Sequence, residues 1–227
     1  MRRVFILRPE PGASRTAEKA ARLGLEAVLH PLFAPHALDW TPPSPTDFEA
    51  LLLTSANAAR LAGPTLAAFR ALPAYAVGRA TADALRAQGF TQVVTGEGDG
   101  SAIAAMIARD GHRAALHLAG TTVAPMDAGP LSVTRIAVYS MAALPADPAL
   151  GQAMEPGSVL LVHSPRAGER LAEHIAQTGR ADLHVIAISQ AALAACGTGW
   201  ASLHAPVRPS DDDMLALARA LCEGLGR

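Results

Sequence analysis

The sequence predicts an α/β protein built from two similar parallel-sheet lobes, one inserted into the chain of the other. Three observations carry that prediction. A strand–helix segment occurs twice: LLLTSANAARLA at 51–62 returns as LLVHSPRAGERLA at 160–172, and YAVGRATADALRAQGF at 75–90 is echoed by VIAISQAALAACGTGW at 185–200. In each half a polar stretch then leads into an apolar helical pattern, SAIAAMIARDG at 101–111 and DDDMLALARAL at 211–221, so the offset stays near 110 residues. Short apolar runs alternate with helical patterns, as buried parallel strands with crossover helices do. Finally, two proline-rich stretches bracket the first copy: His30 to Pro45 with prolines at 31, 35, 42, 43 and 45, and Ala142 to Pro156 with three more. Proline fixes φ and withholds a donor, so both read as stiff, extended crossings.

The elements follow in order. Val4–Leu7 is a continuous apolar run and reads as a buried strand, followed by a turn at Arg8-Pro9-Glu10-Pro11-Gly12. Ser14 is placed to cap a helix that runs to about Leu23 and stops at Gly24. Glu26–Leu29, Ala50–Thr54, Tyr75–Val77, Gln92–Val94, Ala114–Leu118 and Arg135–Tyr139 read as further strands, and Val159–Val162, Val185–Ile188 and Ser202–Ala205 complete them. The copy at 160 needs neighbouring strands, and the N-terminal strand–helix–strand piece can supply them. Lobe 1 is therefore expected at 1–34 plus 143–227, lobe 2 at 38–138, and the crossing linkers at 35–37 and 139–142. The expected pattern within each lobe is flavodoxin-like.

Composition narrows the function. The net charge of −1 argues against bulk nucleic-acid binding, which uses a strongly basic face. Lys19 is the only lysine, so nearly all basic charge is arginine, the better fork for carboxylate or phosphate. No apolar run reaches membrane-span length, and the four-residue run after Met1-Arg2-Arg3 is too short for a signal peptide. Cys196 and Cys222 form no CxxC and read as buried thiols of a reducing, cytoplasmic setting.

Open α/β sheets bind ligands at the carboxyl ends of their strands, where free helix N–H groups favour an anion. Thr54-Ser55-Ala56-Asn57 lies at such a junction, and His163-Ser164-Pro165-Arg166 is its echo. Gly78-Arg79-Ala80-Thr81 repeats the arrangement one strand later, with Gly78 for a tight turn and Thr81 to cap or bind; its echo begins at Ser189 and keeps neither. The polar equipment is thus expected to lean toward the inserted lobe. Gly96-Glu97-Gly98-Asp99-Gly100-Ser101 lacks the Gly-Lys-Ser/Thr ending of a phosphate loop and reads as a plain loop. Ser210-Asp211-Asp212-Asp213 reads as an N-cap with an acidic first turn. The eight histidines show no metal spacing, and His117 and His163 fall in strand patterns where packing accounts for them. Tyr139, one of two tyrosines, sits where the second crossing begins.

Taken together, Arg8-Pro9 after the opening strand, Thr54-Ser55-x-Asn57-Ala58, Gly78-x-x-Thr81-Ala82 with Leu85 and Gly89-Phe90, Leu116-x-x-x-Gly120, Val138-Tyr139 and Ser164-Pro165 resemble the uroporphyrinogen-III synthase family over nearly the whole chain. No single motif is specific; their order and spacing are. The resemblance implies two α/β lobes joined by a two-stranded ladder with the site between them, a cofactor-free and metal-free lyase reaction, and a cytoplasmic monomer of tetrapyrrole biosynthesis. Linear hydroxymethylbilane would lose water and close to uroporphyrinogen III, with its last ring inverted through a spiro intermediate. Tyr139 would match the family's cleft tyrosine and assist departure of the hydroxyl. Ser55, Asn57, Thr81 and Ser164 would match positions contacting the eight carboxylates, with Arg8, Gly78 and Ser189 beside them. Two positions depart from the family pattern: Ser189-Gln190-Ala191-Ala192 replaces a second Gly-x-x-Thr-Ala, and Ala119 stands where an arginine is common. The alternative is a non-catalytic, two-lobed anion-binding or regulatory protein of the same fold.

Overall fold

The structure, a computed structural model, describes residues 2–224. Along the chain run β1 (Val4–Ile6), α1 (Gly12–Arg22), β2 (Ala27–Leu29), β3 (Phe33–Ala37), β4 (Ala50–Leu53), α2 (Ala56–Leu61), β5 (Ala74–Val77), α3 (Arg79–Ala87) and β6 (Val93–Gly96). They continue through α4 (Gly100–Arg109), β7 (Ala114–Gly120), β8 (Ser132–Ala143), α5 (Pro148–Ala153), β9 (Val159–Val162) and α6 (Pro165–His174). The last are β10 (His184–Ala187), α7 (Gln190–Ala195), β11 (Ser202–His204) and α8 (Asp211–Cys222). The chain divides into two compact units, Met1–Ala34 with Ala143–Arg227 (unit 1) and Pro35–Ala142 (unit 2).

In unit 1 the strands lie in the order β2-β1-β9-β10-β11, all parallel. Unit 2 has the same arrangement in β8-β7-β4-β5-β6, also parallel, with β3 added beside β8. The duplicated segments therefore occupy equivalent places: β4-α2-β5-α3-β6-α4 corresponds to β9-α6-β10-α7-β11-α8. The remaining strand pair comes first in unit 1 and last in unit 2, so one unit is a circular permutation of the other. The connections differ too. Helix α1 joins β1 to β2, whereas β7 reaches β8 through a loop whose Met126 and Leu131 pack into the core beside α4.

The cores explain the unbroken apolar runs. In β4, Leu51 and Leu53 face α2 and α3 (Ala58, Ala59, Ala82, Leu85), while Ala50 and Leu52 face α4 (Ile103, Ala104, Ile107). Both faces are covered, so neither can be polar. Each fully buried leucine contributes about 1.5–3 kcal/mol. In unit 1, Val4, Ile6, Val159, Leu161 and Ile186 meet Ala13 and Ala20 of α1 and Met214, Leu215 and Ala218 of α8. Helix α6 lies close on α7 because residue 168 is glycine: a Cβ there would stand 2.8 Å from the Ala192 carbonyl oxygen.

Two local expectations differ from the structure. Helix α1 begins at Gly12, ahead of the expected Ser14 cap. The Glu10 carboxylate takes the capping role instead, accepting from the Ser14 backbone N–H at 3.1 Å and the Ser14 hydroxyl at 2.8 Å. A carboxylate is the stronger acceptor. Residues 35–37 and 139–142, the expected two-stranded crossing, lie in β3 and β8, which are neighbours in the unit 2 sheet. Pro35 is tolerated because β3 is the edge strand. The second proline-rich stretch contains α5, whose first residue is Pro148, where a missing N–H costs nothing.

Candidate functional site

Because the strands of each unit are parallel, their carboxyl ends share one edge, and each unit has a cavity there. That of unit 2 encloses ≈ 330 Å³. Thr54 and Ser55 after β4, Val77 ending β5, and Asp99 and Gly100 at the start of α4 form one side; His117 of β7, Tyr139 of β8 and the 122–126 loop form the rest. Ser55 and Asp99 cap α2 and α4, accepting from the backbone N–H groups of Asn57 at 3.2 Å and Ala102 at 3.0 Å.

Two features of the backbone place Tyr139. Strand pairing runs Ala119 to Ala137 and then Gly120 to Tyr139, so β8 carries a bulge that shifts Tyr139 into register with Gly120. Bulges re-aim side chains in this way. The Tyr139 ring then lies where a side chain at 120 would begin: a Cβ there would stand 2.9 Å from the Tyr139 Cζ and 3.1 Å from its Oη. His117 is buried, with Nε2 3.3 Å from the Thr54 hydroxyl oxygen and Nδ1 without a partner. Burial, and after it the charge of Arg135, pushes its pKa down to about 4, so the imidazole is neutral near pH 7. Asp99 is the one Asp, Glu, Lys or Arg among the lining residues.

The unit 1 cavity, ≈ 350 Å³, is different in charge. Arg8 and Arg15, the turn from Pro9 to Gly12, Phe33, His163, Ser164 and Ala167 line it. Arg8 Nη1 donates to both oxygens of Asp211 at 3.1 Å. The same carboxylate accepts from the Thr16 hydroxyl at 2.9 Å and lies 2.8 Å from His163 Nε2. Burial alone would raise the Asp211 pKa; the hydrogen bonds of Thr16 and His163 and the charges of His163 and Arg8 outweigh it and hold the carboxyl below its usual range. His163 is pushed down, first by burial and then by Arg8. The Nε–Nη2 edge of Arg8 lies against Gly12, where a Cβ would stand 2.7 Å from the guanidinium carbon. Ser164 caps α6 through the Ala167 N–H at 3.2 Å.

Of the residues expected to form the site, Ser55 and Tyr139 come together in unit 2, and Arg8 and Ser164 in unit 1. Asn57, Gly78, Thr81 and Ser189 line neither cavity. Thr81 is buried on the inner face of α3, Ser189 caps α7 through the Ala192 N–H at 3.3 Å, and Gly78 serves its turn with φ 74°. The polar equipment also does not lean one way: the arginines belong to the unit 1 cavity and the hydroxyls mainly to that of unit 2.

Sequence reasoning missed Asp211, His163 and His117 as site residues. Ser210 does cap α8, through the Asp213 N–H at 3.1 Å, and Asp212 and Asp213 pair with Lys19 and Arg208 on the surface. Asp211 alone turns inward, to partners 195 and 203 residues away in sequence, which no local pattern marks. His117 did carry a signal: it is the one polar side chain within the strand AALHLAG.

A larger depression, ≈ 700 Å³ between α1 and α8, has a charged rim in which Lys19 pairs with Asp212 at 2.8 Å and Arg219 with Glu223 at 2.7 Å, beside Arg22. It offers little convergent chemistry. Among the described residues no group of three or more His, Cys, Asp or Glu is arranged to hold a metal ion, and no helix is long and apolar enough to cross a membrane.

The sequence matches the family model of uroporphyrinogen-III synthase HemD over residues 14–216. A crystal structure of uroporphyrinogen-III synthetase from Helicobacter pylori is similar with a TM-score of 0.60 at 18% identity, covering 97% of this chain and 100% of that one. A wild-type uroporphyrinogen III synthase from Thermus thermophilus gives a TM-score of 0.45 at 15% identity, over 100% of both chains. No curated protein sequence matches significantly. The first of these structures supports the fold; the family model reaches from α1 into α8.

Proposed function

The chain belongs to the uroporphyrinogen-III synthase family, and from that premise we propose that it closes hydroxymethylbilane to uroporphyrinogen III, as a cyclising hydro-lyase of tetrapyrrole biosynthesis. The observation that carries the proposal beyond membership is Tyr139, held by the β8 bulge against Gly120 in a strand-end cavity.

The bilane carries eight carboxylates and a hydroxymethyl group that must leave as water. Arg8, Arg15 and the start of α6 line a cavity whose positive charge suits the carboxylates, since each charge-assisted hydrogen bond contributes about 1.5–3 kcal/mol. The unit 2 cavity suits the reacting end. Its hydroxyls and neutral imidazole can direct a leaving group without stabilising a stray anion, and Tyr139 can donate to the departing oxygen. The bilane also closes unaided to the uninverted isomer, so the protein's main task is to impose a conformation and keep water from the cationic intermediate. Such work calls for no cofactor or metal. We further propose a cytoplasmic monomer. The non-catalytic alternative rests on the missing Gly-x-x-Thr-Ala at 189–192, and Arg8, His163 and Ser164 furnish that unit instead.

The test is to supply purified protein with hydroxymethylbilane and resolve the uroporphyrin isomers after oxidation. The type III isomer is expected; type I alone overturns the proposal.

A further inference from the structure

We propose that His117 is a positioning residue of the unit 2 cavity, holding the Thr54 hydroxyl with its proton turned toward the ligand, so that Thr54 joins Tyr139 in meeting the reacting end of the substrate. The inference rests on the synthase reading and adds two residues to it.

Proton placement sets the direction of the His117–Thr54 hydrogen bond. A neutral imidazole carries a single proton, on Nδ1 or on Nε2. Nδ1 of His117 is buried without a partner. A proton there would leave a buried N–H unsatisfied, which costs more than an unused lone pair. The proton therefore belongs on Nε2, the nitrogen 3.3 Å from Thr54 Oγ1. Nε2–H then donates and the Thr54 oxygen accepts. Thr54 keeps its own hydroxyl proton, and among the described residues no other side-chain partner is found for it. Thr54 lines the cavity, so that proton is available to a ligand.

The surroundings keep the ring neutral. On β8, Arg135 stands opposite His117 in register and Tyr139 shares the cavity; Asp99 at the start of α4 is the nearby carboxylate of the lining. Burial and Arg135 both disfavour the imidazolium. A charged ring would donate from both nitrogens and turn the buried Nδ1–H into an orphan.

Two measurements decide the matter. In protein labelled with ¹⁵N at histidine, His117 is expected as the Nε2–H tautomer, unprotonated from pH 8 down to about 5. An Nδ1–H tautomer or an imidazolium at pH 7 overturns the proposal, whatever reaction the protein performs. The second measurement is isomer-resolved turnover of hydroxymethylbilane. His117→Phe keeps the ring volume without nitrogen and should lower kcat about tenfold with KM nearly unchanged. His117→Gln can place an N–H where Nε2 stands and should restore most of the rate. Thr54→Val should match His117→Phe, and the double variant should be no slower than either. A full rate in Thr54→Val, a Gln variant as slow as Phe, or losses that multiply in the double variant each overturn it. Should His117→Phe fail to fold, Thr54→Val and His117→Gln still separate the outcomes. Type I product from the unaltered protein would instead sink the synthase reading, leaving the tautomer measurement to judge the pair.

Discussion

Tyr139 depends on an absence. Its ring occupies the place where a side chain at Gly120 would start, so Gly120→Ala should push the ring out of the cavity. We expect a loss of about 1–3 kcal/mol in unfolding free energy from overpacking and a larger loss of turnover than that destabilisation alone would produce. Tyr139→Phe removes only the hydroxyl: turnover should fall about tenfold or more with the thermal midpoint nearly unchanged. An unaltered rate would remove Tyr139 from the chemistry. Arg8 follows the same logic, fitting beside α1 because residue 12 is glycine. Both candidate residues stand out in the sequence as residues. The glycines that admit them were legible only as turns or strand ends, because which atom fills a missing Cβ is decided by tertiary packing.

Among the elements, the strand-end junctions at Ser55, Ser164 and Ser210 were readable, whereas Ser189 caps without having been expected to. Ser55, Ser164, Ser189 and Ser210 each accept a backbone N–H at the start of a helix, a role local sequence decides. The bulge in β8 was not readable, since an extra residue in a strand leaves no mark on an apolar run. Arg180 was equally silent. It is buried at 8% exposure, donates to the carbonyls of Ile175 at 2.9 Å, Thr198 at 3.0 Å and Ala172, and lies 4.9 Å over the Trp200 ring. It thereby ties the end of α6 to the segment leading into β11. Arg180→Met keeps the apolar stem and leaves three carbonyls without their donor. Urea unfolding should show a loss of about 3 kcal/mol; a loss under about 0.5 kcal/mol would mean the carbonyls find other partners.

Across the whole molecule, buried and half-buried histidines shape the response to acid. His117, His163, His174 and His184 all have pKa values pushed down, in each case first by burial. A depressed histidine binds its proton more readily in the unfolded chain. Its contribution is therefore complete above the unfolded value of about 6.5 and is lost as pH falls through the folded value. For His117, with a folded value of about 4, the loss amounts to roughly 3 kcal/mol. Asp211, held low, adds a further loss at still lower pH, below its unfolded value of about 3.9. Unfolding free energy measured in urea should thus decline from about pH 6.5 to pH 4, and His117→Gln should flatten a sizeable part of that decline. Identical pH profiles for the two proteins would show that His117 does not govern it.

The sequence by itself determined the fold class, the duplication, the insertion of one unit into the other and most strand positions. Those follow from short-range rules: apolar periodicity, proline, capping and the spacing of two copies. Only the tertiary structure decided the circular permutation of the strand order, the bulge that aims Tyr139, the pairing of His117 with Thr54 and the ion cluster at Asp211. Each of these joins residues far apart in the chain. Thr54 meets His117 across 63 residues and Arg8 meets Asp211 across 203, and such contacts are fixed by which strands pair and which faces are buried.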